Sequence, residues 1–196
     1  MNYPSNPAGT QLPILDSIKE RWSPLAFSDR PVEQEKIDTF FEAARWAPSS
    51  YNEQPWFFVY ATKDDVADRR KMESLLAEGN AWAKNAYILL IPFAKQTFAR
   101  NGKPNRHAVY DTGCATGYLF LQLSSLGLIG HEMAGFDWKG ANKAFGVASE
   151  YEAIAMMAIG YPGDPTLLSD DLGARETAPR ERKPMTDFVS RGSLSS

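Results

Sequence analysis

One cysteine and two histidines among 196 residues leave little material for disulfide or metal chemistry. Cys114 cannot close an intrachain disulfide and reads as an inert buried thiol in an apolar run. His107 and His131 are too far apart to suggest a metal site. Charge of one sign is also scarce: 21 basic and 24 acidic side chains give a net charge of −3. That is too weak a field to gather nucleic acid or anionic lipid, so neither is an expected partner and any anion site must be local. No stretch approaches the ~18 apolar residues of a membrane span. The opening MNYPSNPAGTQLPILDSIKE lacks a basic start followed by an apolar run, and the expected address is the cytoplasm. The GxSxG elbow, the Walker loop, HExxH and a GxGxxG between strand and helix are all missing. A protein without an acid–base motif often takes its chemistry from a cofactor.

What is present suits one globular domain: 43% hydrophobic and 23% charged residues. Residues 1–15 read as an extended arm, 16–189 as the domain and 190–196 as a tail. A short helix is expected to residue 22, and a second over 32–46, where Ile37, Phe40, Phe41 and Ala44 fall on one stripe and Pro48 ends it. A strand over 56–61, a charged helix over 64–78 and a strand over 87–93 follow. Residues 98–106 read as a mobile surface loop. A long apolar helix over 107–126, a strand over 129–133, a helix over 138–145 and a continuous buried strand over 153–160 complete the pattern, before a loop-rich tail. Strands separated by helices predict a three-layer α+β fold with a mixed, mainly antiparallel central sheet flanked by helices.

Four segments can carry chemistry. In ERWSPLAFSD, Arg21 and Ser23 can hold a phosphate or the polar edge of a heterocycle, or be a solvated arginine and a cap. AARWAPSSYNEQPWFFVY crowds Pro48, Ser49, Ser50, Asn52, Gln54 and Pro55 between a helix and a strand. It forms either a structural turn or a rigid loop pressed against a planar ligand. In SLGLIGHEMAGFD, Gly127, Gly130 and Gly135 allow close backbone approach to a ligand, or simply punctuate turns. In APRERKPM, Arg180 and Arg182 point the same way in an extended chain and can clamp a phosphate, unless they are a solvated charge run.

In this order the segments resemble the FMN-binding nitroreductase family over about residues 16–189, with PSSYNEQPW the specific match. The resemblance implies an intertwined homodimer with two FMN sites, each built from both chains. By the same resemblance Arg21, Trp22 and Ser23 are the first flavin contacts, and Pro48, Ser49, Ser50 and Asn52 form the loop laid against the ring by the second subunit. Asn80 bonds the pyrimidine portion. Gly135, after Ala134 where some members carry an acid, aims its backbone amide at the ring nitrogen that receives hydride, and is the one catalytic group. Arg180 and Arg182 take the 5′-phosphate. Two further departures, Leu25 and Ala83, stand where relatives carry a basic residue; losing that charge lowers the expected reduction potential.

The activity this implies is ping-pong transfer of electrons from NADH or NADPH through FMN to a nitroaromatic, quinone or similar small acceptor. Trp46, Trp56, Trp82, Phe98 and Tyr110 are candidate pocket walls. Two alternatives stand beside it: a flavin-binding carrier or redox sensor without turnover, and a specialised dehalogenating or flavin-fragmenting branch.

Overall fold

The computed structural model describes residues 5–193; the outermost parts of the arm and of the tail lie outside them. Six α-helices and five strands follow one another among these residues: α1 (Asp16–Glu20), α2 (Gln34–Arg45), β1 (Trp56–Thr62), α3 (Val66–Leu75), β2 (Ile88–Lys95), α4 (Ala108–Ser125), β3 (Ile129–Met133), α5 (Trp138–Phe145), β4 (Tyr151–Ala153), β5 (Met156–Gly160) and α6 (Asp170–Thr177). The sheet runs β1-β2-β5-β3, with β4 also on β2, and every pairing is antiparallel.

Alternation along the strands divides the core in two, because successive side chains of a strand leave opposite faces. Ile88 and Leu90 of β2, with Met157 and Ile159 of β5, meet Ile37, Phe40 and Ala44 of α2 and Leu119 and Leu123 of α4. Leu89, Ile91 and Phe93, with Met156 and Ala158, meet Met72 and Leu75 of α3 and Ala141 of α5. Helices therefore cover both faces, and the expected three-layer α+β architecture is observed.

The strand read as continuous over 153–160 is broken. Phe93 pairs with Ala153 but Leu90 pairs with Met157, so three residues (154–156) oppose two (Ile91 and Pro92). This is a β-bulge, and Pro92 explains its place. The Pro92 carbonyl accepts from the Ile154 amide, so the absent Pro92 N–H would have faced this same neighbour. The extra residue skips the rung that proline cannot supply.

Other boundaries also move. α1 stops at Glu20, leaving Arg21 to Ser23 in extended chain, and α3 stops at Leu75, after which residues 78–85 form a 3-10 turn around Asn80. The loop read as mobile is tied to itself: Thr97 bridges Pro104, Phe98 N–H donates to the Lys103 carbonyl at 2.8 Å, and Asn105 N–H to the Gln96 carbonyl at 2.7 Å. The described part of the arm lies along its own chain, where the Asn6 side chain donates to the Ala178 carbonyl at 3.0 Å.

Candidate functional site

The first group of predicted residues comes from both ends of the chain. Arg21 donates to the Ser23 hydroxyl at 3.3 Å, and Arg180 reaches the Asn6 and Lys19 carbonyls at 2.8 and 3.1 Å, which brings the APRER segment alongside α1. Burial, and then the positive charges of Arg180 and Arg182, pull the Arg21 guanidinium below its ordinary pKa. Glu132 on β3 works in the opposite direction. Burial and Arg182 act likewise on Arg180, against Glu20. Three guanidinium groups thus share one field with only partial compensation. Of the three, Arg21 lines a cleft of about 460 Å³, together with Ser23, Gly117, Tyr118, Phe120 and Glu132. Cys114 also lines this cleft and is half-buried on α4, not the buried thiol expected from the apolar run.

Two side chains the sequence did not single out fix the segment after Ser23. The buried Glu176 carboxylate, on α6, accepts from the Leu25 amide at 2.6 Å and lies 3.4 Å from that of Ala26. His131 Nδ1 lies 2.9 Å from the Pro24 carbonyl; a carbonyl only accepts, so this nitrogen carries the proton. Burial lowers the His131 pKa below its ordinary value, against the pull of the Pro24 and Ser23 carbonyls. Leu25 and Ala83, the two positions where the resemblance leads one to look for a cation, are buried in the core.

The second group is Asn80, Ala134 and Gly135. The Gly135 carbonyl accepts from Asn80 Nδ2 at 2.9 Å and from the Ala77 amide at 3.1 Å. A Cβ at Gly135 would stand 2.7 Å from Asn80 Nδ2, so only glycine lets that amide lie on the backbone. Among the described residues nothing accepts from the Gly135 N–H. The other two glycines have structural duties. Gly127 takes φ +70° after α4, and Gly130 lets α4 onto the sheet, where a Cβ would meet Phe120 at 2.7 Å and Leu123 at 2.8 Å. Ring contacts link the two groups: Trp82, two residues after Asn80, packs tilted on His131 with centroids 4.6 Å apart and stacks on Phe27 at 6.3 Å.

The third group is the loop holding Pro48, Ser49, Ser50 and Asn52. Three of its non-glycine residues, Tyr51, Asn52 and Gln54, take left-handed backbone conformations with φ of 55°, 56° and 50°, each of them strained. Ser49 Oγ accepts from the Gln54 amide at 3.0 Å, and a buried carboxylate, Asp111 of α4, accepts from the Ser50 amide at 2.9 Å. Asp111 had one sequence signal: it is the sole acid in the 18 residues of α4. Among the described residues no hydrogen bond, ion pair or ring contact joins this loop to Arg21, Arg180, Arg182, Asn80 or Gly135. Within one chain the predicted residues therefore form two places, one around the cleft and one on α4. Of the aromatic residues considered as walls, Trp82 is in the core, Trp56 and Phe98 are half-buried, and Trp46 and Tyr110 are 70% and 72% exposed.

Comparison with known proteins gives the family. The model of the nitroreductase family matches residues 18–86, which include the end of α1, the Arg21 segment, the strained loop and Asn80. A solved structure described as an oxidoreductase containing FMN superposes with a TM-score of 0.90 at 35% identity, over 98% of both chains. An uncharacterized 15.4 kDa protein of Mycolicibacterium smegmatis is 34% identical over 123 residues, 62% of this chain and 82% of that protein. A putative NADH dehydrogenase/NAD(P)H nitroreductase of Streptomyces coelicolor is 30% identical over 162 residues, 71% of this chain and 78% of its own length. The chain belongs to the nitroreductase family.

Proposed function

We propose that the protein is an NAD(P)H-dependent flavin oxidoreductase that holds FMN between two copies of itself and passes electrons to a nitroaromatic, quinone or similar small acceptor. The observation that carries this reading is the convergence of Arg21, Arg180 and Arg182 from opposite ends of the chain into one under-compensated positive field beside a cleft. A phosphate placed there relieves the mutual repulsion, and the Ser23 hydroxyl adds a donor. The donor set suits the rest of FMN equally well: the Asn80 amide and the unused Gly135 N–H can meet the acceptors of a flavin ring, and the absence of a side chain at Gly135 lets Asn80 sit close beside it.

Bound FMN supplies the two-electron chemistry that connects a nicotinamide to the acceptor. The protein's own residues bind and orient. Arg21, Ser23, Arg180 and Arg182 hold the phosphate, while Glu176 and His131 keep the chain after Ser23 in place. Asn80 and Gly135 face the polar edge of the ring, and Pro48, Ser49, Ser50 and Asn52 of a second copy close the other side. With Leu25 and Ala83 buried, neither position offers the cation that would favour an anionic reduced ring. No side chain needs to act as general base.

A second copy is supported by the outer face of α4. Val109, Tyr110 and Tyr118 are 44%, 72% and 44% exposed, and Gly113 and Gly117, one turn apart, have open space where a Cβ would stand. A helix with an uncovered aromatic and glycine face suits close packing against its own copy.

The test is an absorption spectrum of purified protein, repeated anaerobically with NADH and NADPH, together with its size in solution. Flavin bands that bleach, on a dimer, are the expected result. A colourless protein that does not take up FMN overturns the reading, and a monomer that retains FMN removes the interface.

A further inference from the structure

From the end of β2 to α4 the chain gathers Lys95, Arg100, Lys103 and Arg106 with no carboxylate from residue 94 to 110, in a protein whose net charge is −3. Lys95 has Glu150 at 4.0 Å. Among the described residues Arg100, Lys103 and Arg106 have no acidic partner within that distance. The loop that carries them is a closed turn: Gly102, at φ +69°, donates to the Phe98 carbonyl at 2.8 Å, as Lys103 accepts from Phe98.

This turn is docked on the strained loop of the candidate site. The Glu53 carboxylate accepts from the Ala99 amide, and the Tyr51 and Phe98 rings meet edge to face at 6.1 Å. Arg100 lies over both rings, its guanidinium carbon 4.1 Å from the Tyr51 centroid and 5.1 Å from that of Phe98. The rings hold the guanidinium plane, yet none of its N–H groups donates to an acceptor among the described residues. An exposed arginine already restrained by aromatic faces, with its donor fork unused and two further cations, Lys103 and Arg106, on the same segment, is prepared for a multiply charged oxyanion. Generic surface charge would be spread among carboxylates, as it is on α2 and α3, where Arg45 and Lys71 pair with Glu42 and Asp68.

We infer that Arg100 binds the 2′-phosphate that distinguishes NADPH from NADH, making NADPH the preferred reductant. The inference rests on the proposed function, since it places the Tyr51 loop beside the flavin; the phosphate itself is the only group by which the two nucleotides differ. Lys103 and Arg106 add to the field that draws it in.

Two measurements on the FMN-loaded protein test this. Calorimetric titration with 2′,5′-ADP and with AMP compares ligands that differ by that one phosphate. The expected result is binding of 2′,5′-ADP at least tenfold tighter, with the ratio falling about tenfold in Arg100→Gln and partly restored in Arg100→Lys. Anaerobic reduction by NADPH and NADH should show the same loss in the ratio of the two kcat/KM values. Equal binding of 2′,5′-ADP and AMP by the unaltered protein overturns the inference. So does an Arg100→Gln variant in which both nucleotides weaken alike, which would make Arg100 a prop for Tyr51. Arg100-dependent binding of 2′,5′-ADP without reduction by either nucleotide would sustain the phosphate site and overturn the reductase reading.

Discussion

The strained loop around Ser50 and the basic cluster around Arg21 solve opposite problems. Around Ser50 the backbone is held in three unfavourable left-handed conformations, tied by Ser49 and by the buried Asp111 carboxylate. Its shape is set before any ligand arrives, and the strain is carried by the fold. Around Arg21 the backbone is ordinary extended chain, and the tension is electrostatic: burial and two neighbouring guanidinium groups disfavour its charge. One region stores its cost in geometry and so presents a fixed wall; the other stores it in charge and so is stabilised when an anion arrives. The two should therefore fail in different ways when altered.

The largest effect is expected at Asp111. Replacing it by alanine leaves the Ser50 amide without its charged acceptor, at a cost of up to ~3 kcal/mol in unfolding free energy, reduced by whatever strain the loop releases as it relaxes. Denaturant unfolding of the FMN-free protein measures it. Asp111→Asn, whose side-chain oxygen can still accept, should recover much of the loss. A drop of less than ~0.5 kcal/mol in Asp111→Ala, the range of an ordinary surface change, would show that the loop holds its shape unaided.

The basic cluster should respond in the reverse sense. On the proposed function, Arg182→Ala removes a charge-assisted phosphate contact worth ~1.5 to 3 kcal/mol and should weaken FMN binding tenfold or more. The FMN-free protein should be no less stable, because a repulsive neighbour of Arg21 and Arg180 has gone. Fluorescence titration with FMN and thermal unfolding separate these outcomes. Unchanged FMN affinity removes Arg182 from the site. Arg180→Ala is the less clean change, since it also gives up two backbone carbonyls.

These contrasts explain why some of the molecule was legible in its sequence and some was not. The 3.6-residue stripe of Ile37, Phe40 and Ala44 and the apolar strands identify α2, β2 and β5 because local pattern and burial agree. α6 had no such stripe: DDLGARET contains one large apolar side chain and a glycine, and its buried residue is an acid, Glu176. Among the site residues, PSSYNEQPW is dense enough in turn-forming groups to show itself. The partners that hold the site are not. Asp111, Glu176 and His131 act 61, 151 and 107 positions away, and no local pattern encodes contacts at that separation. Nor could the sequence separate the glycines: Gly127 and Gly130 serve turn and packing, and only Gly135 faces Asn80.

Gly135 lies between the two regimes and gives the smallest expected effect. A methyl group there would stand 2.7 Å from Asn80 Nδ2, but that atom ends a side chain that can swing away, so the core need not move. The loss is then one hydrogen bond, ~1 kcal/mol, because the Gly135 carbonyl keeps the Ala77 amide. FMN affinity should fall a few-fold as Asn80 leaves its position, and the flavin absorption bands should shift as its polar edge loses a donor. Asn80→Ala removes the same donor without adding bulk. If both variants shift the bands alike, the glycine serves to seat Asn80; if only Gly135→Ala does, the Gly135 backbone itself is what the flavin meets.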